Sequence, residues 1–496
     1  MLMPQHYYER LSFLDGSFLA LESPTTHMHV AGAAIFDATP LAKPDGGIDI
    51  DKIRAFIESK LQHVPRYRQH LALVPIEKNP VWVDDEHFDL DYHVRHISLP
   101  KPGSEDQLGS MMGRLLSQQL NRAKPLWELW VVEGIEGDRF ALVFKIHHCM
   151  IDGISGVDLM AVLLNFVPTD EVEEIKPFEP RPAPGAAELL VGESLRRAKR
   201  ALRAAQGIPH LAEEALAIGS ELQRRAKAVS YSLTSGWLTP ASRTPINEKI
   251  GPNRRFEWLR LPLADVKEIK DLIGGTVNDV VLTTVAGAVR KFFIEERGFP
   301  VDDLEFRVMA PVSVRAKDQR GRLGNQVAMW LVQLPIAEPD PLRRFAIVQD
   351  RTLHLKNTNQ ALGASTIVQL SSGTPATLLG MAARRATRIR PFNMTVTNVP
   401  GPQFPMYMLG SKLLAQYPAV PLWAGHGLGV ALFSYNGELA WGLNADWDVV
   451  PDVAAFADCI NASFAELRRD ARRAAGVEKP KKKIKKNAAG KSKAKA

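Results

Sequence analysis

The sequence predicts an α/β fold with mixed sheets, built as two similar halves on either side of a connector. Three observations predict it. Apolar runs with strand periodicity alternate with amphipathic helical stretches both before and after the middle of the chain. Between the two regions the composition shifts, with five prolines and the acidic stretch Asp170 to Glu174 falling between Pro168 and Pro184, a pattern that reads as a linker. The length of 496 residues exceeds one ordinary core and suits two or three domains.

The elements follow in order. Asp51 to Gln62 places Ile53, Phe56, Ile57 and Leu61 on one helical face. Asp106 to Gln119 reads as a second helix, and Arg139 to His147 as a strand rich in Phe, Leu, Val and Ile. After the linker, Ala187 to about Arg225 is rich in Ala, Leu, Arg and Glu, all good helix formers except at breaks. There Arg196, Arg197, Lys199, Arg200 and Arg203 sit beside Leu195, Ala198 and Leu202. That pattern suits a solvated helix face over the domain junction, or a helix lying on a lipid surface. A second αβ series begins near Arg255, with a strand at Phe256 to Leu261 and a helix at Ala264 to Leu272. Thr276 has the chemistry of an N-cap, opening a helix that runs to about Glu296 before Gly298-Phe299-Pro300 ends it. Strands are expected at Phe306 to Ala310, Val327 to Leu334, Asn393 to Asn398, Gly427 to Tyr435 and Glu438 to Leu443, and a last helix at Pro451 to Arg472. The division is residues 1–168, a connector over 169–250, a second half over 251–475, and a tail over 476–496.

Charge and cysteine usage narrow the class. The net charge is +7, but nine Lys and one Glu lie between Gly476 and Ala496, so the remainder carries −1. A run such as Lys479-Pro480-Lys481-Lys482-Lys483 cannot bury apolar surface and is expected to be disordered. It suits a solubilising tail or contact with anionic lipid, where each Lys is worth about 1 kcal/mol. Nucleic acid is not expected as a partner, because no aromatic residues interleave for base stacking. Only Cys149 and Cys459 occur, which argues for a reducing compartment and leaves no cysteine-built zinc or iron–sulfur site. No apolar run reaches the roughly 18 residues that span a bilayer. Met1 to Phe13 carries Glu9 and Arg10 and lacks a hydrophobic signal core. The expectation is a cytoplasmic protein.

The chemistry concentrates in Phe144-Lys145-Ile146-His147-His148-Cys149-Met150-Ile151-Asp152-Gly153, an apolar strand that runs into polar residues and a glycine. A strand end followed by a loop can offer a side chain to substrate. Successive strand residues point to opposite faces, so His147 and His148 are not expected to share a metal, and the spacing is not the His-Glu-x-x-His of zinc proteases. The same divergence argues against a Cys149 nucleophile activated by His148, because nucleophile and base must meet. No Gly-x-Ser-x-Gly elbow occurs. One histidine acting as a base remains. An imidazole titrating near ~6.5 is largely neutral at cytoplasmic pH, and general-base help is worth about 10² to 10⁴ in rate. Asp152 could orient that imidazole, or pair with an arginine, Arg315 being the candidate, and hold the loop. Gly153 would permit an unusual backbone angle or the close approach of a ligand. Read on its own, a His-His pair serves structure more often than catalysis.

The pattern His-His-x-x-x-Asp-Gly resembles the active-site motif of the CoA-dependent acyltransferase superfamily, which includes chloramphenicol acetyltransferase, peptide-synthetase condensation domains and the bacterial wax ester synthase/diacylglycerol acyltransferases. Other segments are similar to the last of these. They are Leu11-Ser12-Phe13-Leu14-Asp15 with Phe18-Leu19 and His27-Met28-His29-Val30; Val64-Pro65-Arg66-Tyr67-Arg68; Pro80-Val81-Trp82-Val83; Phe88 to Val94; and Pro125-Leu126-Trp127-Glu128. Downstream come Thr276-Val277-Asn278-Asp279-Val280-Val281, Pro311-Val312-Ser313-Val314-Arg315 with Gly324-Asn325, and Thr397-Asn398-Val399-Pro400-Gly401-Pro402. The resemblance runs in order over about residues 5 to 470.

The resemblance implies two chloramphenicol-acetyltransferase-like domains with an active-site tunnel between them, acyl-CoA entering one side and an alcohol the other. It implies His148 as the base, with His147 supporting it, and Asn278 holding substrate or the developing oxyanion. Asp279 reads more simply as a helix first-turn residue. Thr397 and Asn398 would line the channel, Ser313 and Arg315 would support the site or pack, and Pro125-Leu126-Trp127 would shape the acyl pocket or the core. The implied reaction moves a long-chain acyl group from acyl-CoA, a co-substrate, to diacylglycerol or a fatty alcohol, with no cofactor or metal, at an inner-membrane or lipid-inclusion surface. The Lys-rich tail is not part of the family pattern. A condensation-type enzyme making amides on carrier proteins is the nearest rival, disfavoured because no carrier or adenylation region is attached. A plant-type acyltransferase would carry Asp-Phe-Gly-Trp-Gly where this chain reads Trp423-Ala424-Gly425-His426-Gly427. A protein that only coats lipid is the rival of a different class.

Overall fold

The computed structural model describes residues 7–44, 46–76, 78–150, 159–207, 239–313, 327–357 and 390–477. Asp152, Gly153, Arg315, Gly324, Asn325 and the tail beyond residue 477 lie outside these residues, as does the side chain of Ser313.

The first half builds β1 (Glu9–Arg10), α1 (Phe13–Leu21), β2 (His29–Asp37) and α2 (Ile50–Leu61), then β3 (Gln69–Leu73), β4 (Pro80–Asp84) and α3 (Leu90–His93). It continues through β5 (Val94–Ser98), α4 (Glu105–Leu116), β6 (Trp127–Ile135), β7 (Arg139–His147) and α5 (Leu159–Leu163). Local chemistry sets the helix starts. Asp49 caps α2 by accepting from the Lys52 N–H, and Ser104 with Gln107 forms a reciprocal capping box on α4. The predicted face of α2 is the buried one, including Ile53, Phe56, Ile57 and Leu61.

After α6 (Ala186–Gly207) the second half comprises β8 (Arg254–Pro262), α7 (Leu263–Ile273), α8 (Val277–Lys291), β9 (Arg307–Ser313), β10 (Val327–Gln333) and α9 (Pro341–Asn357). It ends with β11 (Met394–Pro400), β12 (Tyr407–Met408), β13 (Ser411–Ala419), β14 (Leu428–Tyr435), β15 (Glu438–Asp446) and α10 (Val453–Ala474). Its sheet runs β10-β9-β11-β14-β15-β8, parallel at β9–β11–β14 and antiparallel elsewhere. Helices α7, α8 and α10 cover it over a core that includes Val285, Phe292, Trp441 and Phe456.

The first sheet runs β12-β13-β2-β7-β6-β5, with only β5–β6 parallel. Both large sheets are therefore mixed. The period of two divides β7 cleanly. Phe140, Leu142, Phe144 and Ile146 face one core with Trp127 and Leu129, whereas Ala141 and Val143 face α4. Strands β12 and β13 belong by sequence to the second half yet complete the first sheet, with β13 paired along β2. Helix α4 also lies across the divide. Gly109 and Gly113 lack the Cβ that would crowd Phe256 O and Arg254 O at 3.2 and 2.8 Å. Arg254, buried, donates to Asp446 Oδ2 at 3.3 Å and to Thr25 O at 2.5 Å, and its N–H meets Ser117 Oγ at 2.8 Å. Trp258 stacks on Tyr417 at 4.8 Å. The halves are interlocked through α4, β8 and β13.

The proline-rich segment has no regular structure but is fastened to the first half. Arg181 makes a two-pronged contact with Asp84 at 2.8 Å on each oxygen, and Glu173 accepts from Lys60 and from His63. Helix α6 then docks on the small sheet β1-β4-β3 by burying Leu189 against Val74, Val81 and Val83. Among the described residues no single helix is long and apolar enough to cross a membrane.

Candidate active site

The site is built where β7 ends. Its last residue, His147, is held through its main chain, donating to Leu126 O at 2.9 Å, and His148 donates to Met28 O at 2.8 Å. Pairing of β2 with β7 sets His29 opposite His147, so both rings project from one face, 5.9 Å apart between centroids. The chain then turns through a short 3-10 stretch, His148–Met150.

Helix α1 supplies the other wall. Phe18 and Glu22 are four residues apart, at the spacing that puts two side chains on one helical face. Glu22 is also the C-cap residue, its N–H donating to Phe18 O. Phe18 stacks on His148, centroids 3.8 Å apart and planes 22° apart. Glu22 Oε1 lies 3.3 Å from His29 Nε2 and 3.6 Å from His147 Nε2. Arg122 closes the arrangement, donating to Glu22 Oε2 at 2.9 and 2.5 Å and to Leu19 O at 3.0 Å. A carboxylate at a helix C-terminus is disfavoured by the helix dipole, and Arg122 offsets this while satisfying a terminal carbonyl.

The two histidines of the pair have different environments. His147 is 1% exposed. Its Nδ1 accepts from the Cys149 N–H at 3.1 Å, which puts the ring proton on Nε2, facing Glu22. His148 Nδ1 is buried with no hydrogen-bond partner among the described residues. Burial, followed by the neighbouring His147, pushes the His148 imidazole down to about 4. Burial likewise lowers His29 to about 3. Burial opposes ionisation of Glu22, but His147, His29 and Arg122 outweigh it and hold the carboxyl far below the usual carboxylate range. The Cys149 thiol is pushed well up by burial and then by Asp15 and Glu22, so it is an inert packing group.

The other expected residues fall as follows. Asp279 completes a reciprocal capping box with Thr276 and accepts from Thr352 Oγ1 at 2.6 Å, a structural duty that occupies both its oxygens. Asn278 is half-buried on the same first turn of α8. Thr397 and Asn398 are half-buried on β11, opposite Ala431 and Leu432 of β14. No hydrogen bond or ring contact joins these three to either histidine among the described residues. Trp127 is core. It donates from Nε1 to Tyr67 O at 2.8 Å and stacks on His93 at 4.6 Å. Sequence reasoning gave no role to Glu22 or to the ring of Phe18; the available signal was their four-residue spacing just ahead of His27-Met28-His29.

Such an arrangement holds His147 between a main-chain donor and a carboxylate and leaves His148 a neutral imidazole packed on Phe18. Comparison with known proteins agrees with the motifs. A model of the wax ester synthase/diacylglycerol acyltransferase catalytic domain matches residues 11–281, and one of the C-terminal domain of that family matches residues 323–468. The chain is 32% identical over 461 residues to the probable diacylglycerol O-acyltransferase tgs1 of Mycobacterium tuberculosis, covering 92% of this chain and 95% of that one. Among solved structures it is similar to the wax ester synthase/diacylglycerol acyltransferase from Marinobacter aquaeolei VT8, with TM-score 0.64, 26% identity, and coverage of 93% and 99%. It shares its fold with the first condensation domain of the calcium-dependent antibiotic synthetase, at TM-score 0.55 and 13% identity over 93% of this chain and 97% of that one.

Proposed function

The chain belongs to the wax ester synthase/diacylglycerol acyltransferase family, and from that premise we propose that His148 is the general base of its acyl transfer. The enzyme is an acyl-CoA-dependent O-acyltransferase acting on diacylglycerol or a fatty alcohol, giving triacylglycerol or a wax ester. The observation that carries the assignment is the contrast within the pair. His147 Nδ1 accepts from the Cys149 N–H and its Nε2 stands 3.6 Å from the Glu22 carboxylate, whereas the His148 ring packs on Phe18 with no carboxylate facing it among the described residues.

The neutral His148 imidazole takes the proton of the acceptor hydroxyl as its oxygen attacks the thioester carbonyl. The C–S bond breaks on collapse, and the departing thiolate recovers the proton from the imidazolium, leaving an ester and free CoA. A base with a value near 4 is fully available at neutral pH but pulls weakly on a proton. The negative charge developing on substrate oxygen offsets this, because an imidazolium beside an oxyanion is an ion pair in a dry site. Asn278, Thr397 and Asn398, with Gly153, are read as substrate-binding residues on the second half and the motif loop, and Asp152 with Arg315 as a pair that shapes that loop.

We read the Lys-rich stretch over 476–496 as an attachment to anionic lipid, where the substrates reside. No cofactor is invoked beyond acyl-CoA as co-substrate. The decisive experiment follows free CoA thiol released from palmitoyl-CoA with diacylglycerol, hexadecanol or no acceptor. Acceptor-dependent release from wild type, lost in His148→Ala of unchanged fold, is expected. Turnover like that of wild type in His148→Ala would overturn the base assignment.

A further inference from the structure

A cavity of about 570 Å³ opens beside, but not within, the histidine site, within the roughly 300–1,000 Å³ of small-molecule sites. Its walls are the turn Pro65–Arg68 after α2, the end of β4 at Asp84, and the proline-rich segment from Lys176 to Arg181. Met150, two residues beyond His148, lines its inner side.

Most charges around this cavity are spoken for. Arg181 is held by Asp84, and Arg66 meets Glu9 at 2.7 Å. Arg68 is different. It is 5% exposed, its guanidinium lies 4.9 Å from the Phe178 ring centroid and 5.8 Å from that of Phe88, and no carboxylate pairs with it among the described residues. Among the described residues its side chain makes one hydrogen bond, a long contact from Nη2 to Glu58 O at 3.4 Å, and its Nε is buried without a partner. A guanidinium does not shed its proton in a protein, and a buried charge without a counter-ion is a strongly unfavourable arrangement. Lys176 adds a second positive charge from the exposed rim. Glu179 also stands on the exposed rim, and the remaining lining mixes Val64, Tyr67, Met150 and Phe178 with Gln62, His63 and Gln69.

We propose that this cavity is a second ligand site, which receives the carboxylate or phosphate head of a long-chain amphiphile at Arg68 and lays its chain along Val64, Tyr67 and Phe178. Neither head group nor chain needs to reach His148, so the proposal stands apart from the base assignment and is read without turnover.

The test is calorimetric titration of the full chain with palmitate and with hexadecyl phosphate, using hexadecanol as the uncharged control. The variants are Arg68→Met, which keeps a similar volume without the charge, and Lys176→Glu, a change at an exposed position. A hydrogen bond to a charged group corresponds to about a tenfold to hundredfold effect on affinity. Arg68→Met is expected to weaken both anions by about that factor and Lys176→Glu by about tenfold, with hexadecanol binding unmoved in both. Should Arg68→Met fail to fold, Lys176→Glu alone decides. Displacement of hexadecyl phosphate by CoA would overturn the proposal, because the anion site would then belong to the acyl donor. Displacement by palmitate but not CoA would support it with a lipid head as the source. Anion affinity unchanged in both variants, or hexadecanol weakened as much as the anions, would overturn it.

Discussion

Glu22 Oε1 stands 3.6 Å from His147 Nε2, the nitrogen that carries the ring proton because Nδ1 is already an acceptor. The carboxylate therefore acts on the supporting histidine, one residue away from the proposed base. Glu22 is a positioning residue in this scheme. Glu22→Gln removes the charge and keeps the shape. It is expected to lower kcat about tenfold, a loss of about 1.4 kcal/mol of transition-state stabilisation, with KM unchanged, and Glu22→Asp should recover part of the loss. A fall in KM-dependent terms alone, or full activity in Glu22→Gln, would show that the carboxylate only packs the strand end.

The two histidines should separate cleanly. His148→Ala is expected to reduce thiol release by about 10² to 10⁴, the value of a general base, with thermal stability close to wild type because the ring makes a stacking contact but no ion pair. His147→Ala should cost less activity and more stability, since it leaves the buried Glu22 with one fewer donor. Equal activity losses in the two variants would contradict the division of labour.

Acid should destabilise the fold well above the carboxylate range. His29, His93 and His426 are buried, and burial lowers them to about 3, 4 and 4. Below the unfolded value of ~6.5, the unfolded chain takes up protons that the folded chain refuses until pH approaches 4, so stability falls as pH drops through that window. At pH 5.5 the loss is about 1 kcal/mol for each such histidine. Glu22 acts in the same direction at lower pH. Its folded value is depressed, so its contribution is present above the ordinary carboxylate value and is lost as pH falls below it. Urea midpoints measured at pH 7 and 5.5 check this. Identical midpoints would mean that these rings take up protons in the folded state.

Much of this was legible in the sequence, for physical reasons that can be named. Strand β7 was readable from its apolar run and ends at His147 as expected, because a strand buried on both faces leaves a continuous apolar signal. The Thr276 cap was readable because capping is local chemistry, and the structure adds that Asp279 is its reciprocal partner. By contrast, β13 was not foreseen. Its alternation of buried and exposed residues marks a strand but does not say which sheet it joins, and it joins the first. Strand β2, with glycine and three alanines among nine residues, gives a weak strand signal. The Glu22–His29–His147 cluster was not foreseen either, because it depends on the β2–β7 register, a long-range fact. The proline-rich segment read as a linker from composition alone, while its docking rests on pairs such as Arg181–Asp84 that no spacing reveals.

The interlock between the halves makes a last prediction, at two glycines with opposite surroundings. A Cβ on Gly113 would sit 2.8 Å from Arg254 O. Arg254 has little freedom to retreat, being tied through its side chain to Asp446 and Thr25 and through its N–H to Ser117. Helix α4 would have to move instead, and it carries the Leu115 and Leu116 carbonyls that meet Lys145 Nζ and His27 Nδ1 beside the histidine site. Gly113→Ala is therefore expected to destabilise by about 1–3 kcal/mol, as overpacking does, and to lower acyl transfer as well. Gly16 lies within α1 and has nothing within 4 Å of an added Cβ. Gly16→Ala should be neutral or stabilising by up to about 1 kcal/mol through helix propensity. Denaturant midpoints and thiol release on the two variants check both. If Gly113→Ala proved as harmless as Gly16→Ala, the close approach of α4 to β8 would not constrain the junction.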